Sequence, residues 1–181
     1  MIFSSVNFIT LALLPPLIAP LLIYIFKSNQ NIRDSIGVIG SLISFYATIN
    51  ITTELMNGSR PELFLFNIFN DLSLSFNVTP LGAVFGLLCS GLWILAAIYS
   101  IGYMRGNNEK NQTRFYIFYS LSIFGALCVA WSSNLLVLFI FYEFLTFATY
   151  PLVVHKETED SIKASRLYLG ILVGSSLMLF L

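Results

Sequence analysis

The chain has 181 residues, of which 57% are hydrophobic and 10% charged, with nine basic and nine acidic side chains and a formal net charge of zero. A soluble domain of this size cannot hide that much apolar surface, because folding buries only about 70% of what the unfolded chain exposes; a soluble fold is therefore excluded. The even charge balance also gives no basis for a nucleic-acid partner.

The remaining class is an all-α integral membrane protein with lipid as its solvent. Spans are expected at 6–26, 35–53, 79–103, 114–132, 134–154 and 162–181. Each is near the ~20 residues that cross ~30 Å of hydrocarbon at 1.5 Å per residue, giving about six transmembrane helices. The stretch Met1–Val6 has no Lys or Arg, so the first apolar run lacks the basic region of a signal peptide and reads as a helix that stays. Pro15, Pro16 and Pro20 lie inside it and require neighbouring helices to satisfy the carbonyls they free. The second span is the most polar. Between the second and third spans, Leu72, Leu74, Phe76 and Val78 alternate with Ser73, Ser75 and Asn77. That is a strand period, and with the arm 63–69 and the turn residues Asn70-Asp71 it predicts a short external β-hairpin within about 60–78. An interfacial segment of no fixed form is the alternative. Gly82-x-x-x-Gly86 and Gly170-x-x-x-Gly174 are placed to admit another helix closely. The sequence ends at Leu181 inside an apolar run, which leads us to expect either the first part of a longer protein or an end covered by a partner.

Basic residues set the expected orientation. Lys27 and Arg33, then Arg105, Lys110 and Arg114, then Lys156, Lys163 and Arg166 fall on one side, against Arg60 alone on the other. The positive-inside rule puts loops one, three and five in the cytoplasm and the N-terminus outside, in a plasma or inner membrane. Cys89 and Cys128 sit in apolar runs and read as packing residues. One histidine cannot build a metal site, and no ligand set for haem, flavin or an iron–sulfur cluster is visible, so no metal and no cofactor is expected.

From Phe115 to Val153 the one formally charged residue is Glu143. It lies about 13 Å into the fifth helix, where an ionised side chain costs about 2.5–3.5 kcal/mol and generally faces the bundle interior or a hydrated cavity. Loss of water penalises the charged form of a carboxyl, which disposes such an acid to take up and release a proton. Thr146 and Tyr150 follow at three and seven residues, on one helical face, and Pro151 frees the carbonyl of Phe147. This stripe is suited to a file of water leading to the cytoplasmic edge, where His155 can exchange protons with bulk. Arg166, early in the sixth helix, either snorkels to the interface or acts on Glu143 through bridging water. The alternative for Glu143 is a neutral acid that merely ties helices together, and for His155 a plain surface histidine.

The stretches Tyr99-Ser-Ile-Gly-Tyr-Met104, Arg114-Phe-Tyr116, Asn134-Leu-Leu-Val-Leu-Phe139, Tyr142-Glu-Phe-Leu-Thr-Phe-Ala-Thr-Tyr-Pro-Leu-Val153 and Arg166-Leu-Tyr-Leu-Gly170, with Asp71-Leu-Ser-Leu74 upstream, resemble the antiporter-like subunits shared by Mrp-type Na⁺/H⁺ antiporters, membrane-bound hydrogenases and respiratory complex I. Pro151-Leu-Val-Val and the Arg166 stretch lean towards the Mrp-type branch. The resemblance implies that Glu143 matches the family's essential glutamate, and that Arg166 stands where many members carry a Lys or Arg. Family members have about fourteen helices in two inverted repeats. Residues 1–113 would then be lead-in helices with the hairpin, and 114–181 the start of the first repeat. The resemblance also implies a seventh-helix lysine, lacking in these 181 residues, that pairs with the glutamate.

The expected function is that of a subunit in a multi-subunit membrane complex that moves H⁺, with Na⁺ as a second candidate ion, not catalytic alone. Its partners are the lipid bilayer and other membrane subunits of an antiporter or respiratory-type complex. The alternatives are a transport-inactive structural subunit and a membrane subunit of a quinone- or hydrogenase-type redox complex.

Overall fold

A computed structural model describes residues 2–69 and 72–180. It contains six helices and one hairpin: α1 (Ile2–Ile25), α2 (Gln30–Met56), β1 (Glu62–Phe69), β2 (Leu72–Asn77), α3 (Pro80–Gly106), α4 (Gln112–Ala130), α5 (Leu135–Val153) and α6 (Glu159–Phe180). Five of the helices, α1 to α5, are long and apolar enough to cross a membrane. In α6, four of the first eight residues are charged (Glu159, Asp160, Lys163, Arg166), which leaves a shorter apolar stretch. The protein is a multi-pass membrane protein.

Local chemistry sets the helix starts. The Asn29 side chain accepts from the backbone N–H groups of Asn31 and Ile32. Thr79 accepts from Gly82, with Pro80 at the first helical position, and Asn134 accepts from Val137. Each supplies a partner to an end-of-helix donor that has none within the helix. Short connections at 26–29, 107–111, 131–134 and 154–158 make successive helices antiparallel, so the bundle has two ends. One carries the hairpin and Arg60; the other carries the remaining eight basic residues.

Apolar side chains point outward and small or hydroxyl-bearing ones inward. Along α3, Leu81, Leu88, Leu92, Leu95 and Tyr99 are exposed, while Gly82, Ala83, Gly86, Ser90 and Ala97 are buried. Small inward residues let membrane helices approach closely. Gly86 illustrates the limit: a Cβ there would lie 2.8 Å from the Trp131 ring, and one at Gly82 would lie 2.7 Å from the Ala130 carbonyl oxygen. The fully buried Trp131 donates its indole N–H to the Gly82 carbonyl at 3.0 Å, locking α4 onto α3. Gly170 and Gly174 behave otherwise. No described atom lies within 4 Å of a Cβ at either, so the close approach expected at that pair is not made among the described residues.

Two of the three carbonyls freed by the prolines of α1 find side-chain partners among the described residues. Pro16 has no N–H for the Ala12 carbonyl, and Pro20 none for the Pro16 carbonyl. Ser44 of α2 donates to Ala12 at 2.7 Å, and Ser120 of α4 donates to Pro16 at 3.2 Å. Two apolar clusters fill the frame. The larger, near the hairpin end, joins Ile9, Leu13, Ile51, Leu63, Phe76, Leu127, Trp131 and Val137. The smaller, near the basic end, joins Ala19, Ile23, Met104 and Tyr116.

The hairpin is antiparallel, pairing Glu62 with Asn77 and Leu63 with Phe76, with register shifts after Phe64 and Asn67. Its expected turn, Asn70-Asp71, lies outside the described residues. The alternation in β2 has a direct outcome: Phe76 is buried in the core, while Ser75 bonds Ser133 and the Ser73 carbonyl accepts from Asn134 at the α4–α5 turn.

Candidate functional site

Glu143 is the ninth residue of α5 and half-buried. Its carboxylate Oε1 accepts a hydrogen bond from the Ser176 hydroxyl of α6. Because Ser176 is level with Glu143, Arg166 stands ten residues away on α6, about 15 Å along the axis. Arg166 is exposed, so it is not brought to the acid. On the face of α5 that Glu143 occupies, one helical turn away in each direction, Ile140 and Phe147 are exposed at 39% and 57%. The acid therefore sits where the α5–α6 contact meets an uncovered face.

The expected stripe is present on α5 but used unevenly. Thr146 is buried, and its hydroxyl returns to the Tyr142 carbonyl of its own helix at 3.0 Å. Tyr150 is half-buried. Thr149, which the three-and-seven spacing from Glu143 passes over, meets the Tyr168 hydroxyl of α6 at 3.1 Å. Two polar ties, Glu143–Ser176 and Thr149–Tyr168, thus stitch α5 to α6. The polar line drifts around α5 towards α6 and does not follow a straight stripe. Ser175-Ser176 within an apolar run was the available sign of the α6 contribution.

His155 lies just past the end of α5. Its ring packs edge-on against Phe115 at 5.4 Å, and both ring nitrogens are buried without a hydrogen-bond partner among the described residues. Burial lowers its pKa from the ordinary imidazole value, and the nearby Arg114 guanidinium lowers it further. Arg114 itself pairs with Glu157 and donates to the His155 carbonyl at 3.3 Å.

A second ionic group lies at the basic end. Asp34 is 4% exposed and accepts from Arg33 Nε at 2.8 Å and from Arg105 Nε at 2.8 Å. Arg33, also 4% exposed, reaches Gln112 Oε1 at 2.8 Å and lies over the Tyr116 ring at 5.1 Å. The sequence placed Arg33 and Arg105 in loops as positive-inside residues; both are within helices, tied through one carboxylate. Among the described residues no group of three or more His, Cys, Asp or Glu side chains is placed to hold a metal ion.

These features define a polytopic helical membrane subunit with an acid held midway along one helix. Residues 66–116 match the sequence profile of the N-terminus of chain 5 of NADH-ubiquinone oxidoreductase (complex I). The chain is 30% identical over 115 residues to the chloroplastic NAD(P)H-quinone oxidoreductase subunit 5 of Calycanthus floridus var. glaucus, covering 61% of this chain and 15% of that protein. It is 29% identical over 132 residues to the corresponding subunit of Chara vulgaris, covering 69% of this chain and 20% of that one. A chain in the structure of the membrane-bound sulfane sulfur reductase, an archaeal respiratory membrane complex, superposes on 93% of this chain with a TM-score of 0.74, at 22% identity and over 26% of its own length. The chain is thus similar to antiporter-like membrane subunits of respiratory complexes, and it spans a fifth or less of the length of these two chloroplastic relatives.

Proposed function

We propose that this chain is a membrane subunit of an ion-translocating, respiratory-type complex and that Glu143 carries a proton within it. The observation behind this reading is the setting of Glu143. It is mid-helix and half-buried, its oxygen is held by a serine hydroxyl in place of a cation, and one flank is left open. A carboxyl bonded to a neutral, reorientable hydroxyl can keep its contact in either protonation state, since a hydroxyl both donates and accepts. A guanidinium, which only donates, would hold the acid ionised. Thr146, Thr149, Tyr168 and Tyr150 extend hydroxyls from Glu143 towards the basic end. His155 closes the line about 18 Å further along the axis. In this reading Arg166 acts at the mouth of the path, and a cation facing Glu143 comes from elsewhere in the complex. The positive-inside rule supports a cytoplasmic basic end and an outward hairpin. Residues 1–113 serve as lead-in and 114–181 as the start of a translocating repeat.

The test is Glu143→Gln in the assembled complex, with proton movement followed by a pH-sensitive dye in sealed vesicles. The expected result is loss of translocation with assembly unchanged. A second reading, a subunit that scaffolds partners without moving ions, is favoured by the Thr146 hydroxyl being spent on its own backbone. Full translocation by the Glu143→Gln complex would establish that reading in place of the first.

A further inference from the structure

At the basic end, α1, α2 and the start of α4 enclose an open cavity of about 540 Å³. Its mouth is lined by Lys27, Arg33 and Arg114, with Glu109 as the acid among the lining residues. Arg33 is fixed in place by Asp34 and Gln112, and because Asp34 also serves Arg105, one of those two guanidinium charges is unmatched. Lys27 is exposed, lies 4.7 Å over the Tyr24 ring and makes no ion pair among the described residues. Arg114 pairs with Glu157 through its Nη1, and its Nε is buried with no acceptor among the described residues. Asn111 precedes α4 in a left-handed conformation (φ 56°), and its side chain makes no capping bond to the first amides of that helix. The lining also includes Tyr24 in the last turn of α1 and, more than a turn into α4, Ile117 and Phe118, which give it an apolar wall.

We propose that this cavity binds the headgroup of an anionic phospholipid, with the phosphodiester at Lys27, Arg33 and Arg114 and the upper acyl chain against Tyr24, Ile117 and Phe118. Basic pockets between membrane helices recognise such headgroups. Arg33 and Arg114 are already partly neutralised by Asp34 and Glu157, and Glu109 lies in the lining, so the small remaining positive charge favours a monoanionic phosphodiester over a dianionic phosphate. The apolar wall favours a lipid over a free anion, which has no use for it. The position, at the helix ends, is where headgroups lie. This site is separate from Glu143 and stands whether or not that residue moves protons.

The test uses the full chain in phosphatidylcholine nanodiscs containing spin-labelled phosphatidylglycerol or spin-labelled phosphatidylcholine, reading the motionally restricted fraction. Phosphatidylglycerol is expected to be preferred. Lys27→Gln is expected to reduce that preference about five-fold, while Lys110→Gln, at an exposed lysine outside the lining, leaves it in place. Both side chains are exposed, so neither change disturbs packing. The proposal is overturned by equal retention of the two lipids, by a preference indifferent to Lys27→Gln, or by equal losses from both lysine variants, which would mean general surface attraction. Displacement of labelled phosphatidylglycerol by inorganic phosphate at matched ionic strength would also overturn it, making the cavity a free-anion site.

Discussion

The α1–α4 frame and the α5–α6 layer differ in how they are held. In the frame, contacts are specific and closed. Trp131 fills the space left by two glycines, serines meet the carbonyls freed by prolines, and one aspartate joins two arginines. The α6 helix adds no residue to either apolar cluster among the described residues. It meets α5 through two hydroxyl-centred bonds, and its glycines face open space. Glu143 thus lies on a helix whose one face joins the apolar core through Val137 and Phe141 and whose contact with α6 is made through hydroxyls. In the proposed role, Glu143 would need neighbours that can reorient, which hydroxyls can, beside a frame that stays fixed.

That contrast predicts an order of mutational effects. Asp34→Ala should be the most damaging, since it leaves Arg33 buried and uncompensated. A loss of about 3–5 kcal/mol is expected, read from the denaturation midpoint in detergent, and a near-neutral result would mean the frame does not depend on this junction. Gly86→Leu should follow at about 1–3 kcal/mol from overpacking, with a shift in tryptophan emission as Trp131 is displaced. In the softer layer, Ser176→Ala should lower stability by only about 0.6 kcal/mol, the usual worth of a hydrogen bond between membrane helices. A loss as large as that of Gly86→Leu would erase the distinction between the regions.

The smallest effect concerns pH. His155 has a lowered folded-state pKa from burial and from Arg114, so the unfolded chain binds its proton more readily. Stability is then fully present above about pH 6.5 and declines as pH falls through the lower folded value. Melting midpoints across that window should show the decline in the wild type and not in His155→Gln.

Much of the architecture was legible in the sequence because length and period are local properties. Five of the six expected spans were found by apolar length, and β2 by its alternation of Leu72, Leu74 and Phe76 with serines. What escaped depended on contacts between distant segments. Arg33 and Asp34 read as a loop edge because nothing nearby announces that Arg105 and Gln112 will satisfy them inside the bundle. Gly82 and Gly86 share their spacing with Gly170 and Gly174, yet only the first pair faces a tryptophan. At the candidate site, Glu143 stood out by its isolation in an apolar run. Ser176 and Tyr168 did not, because the register of α6 against α5 is set by packing that no single helix records.

The hydroxyl donors that Ser44 and Ser120 give to α1 bear on how the chain is made. Because α1 is made before α2 and α4, its proline-freed carbonyls at Ala12 and Pro16 meet their serine partners only after those helices follow. The first is covered once α2 arrives, and the second waits until α4 is synthesised, about a hundred residues later. The polar satisfaction of α1 is therefore completed by later parts of the chain, and a product cut short before Ser120 would leave the Pro16 carbonyl without its serine donor.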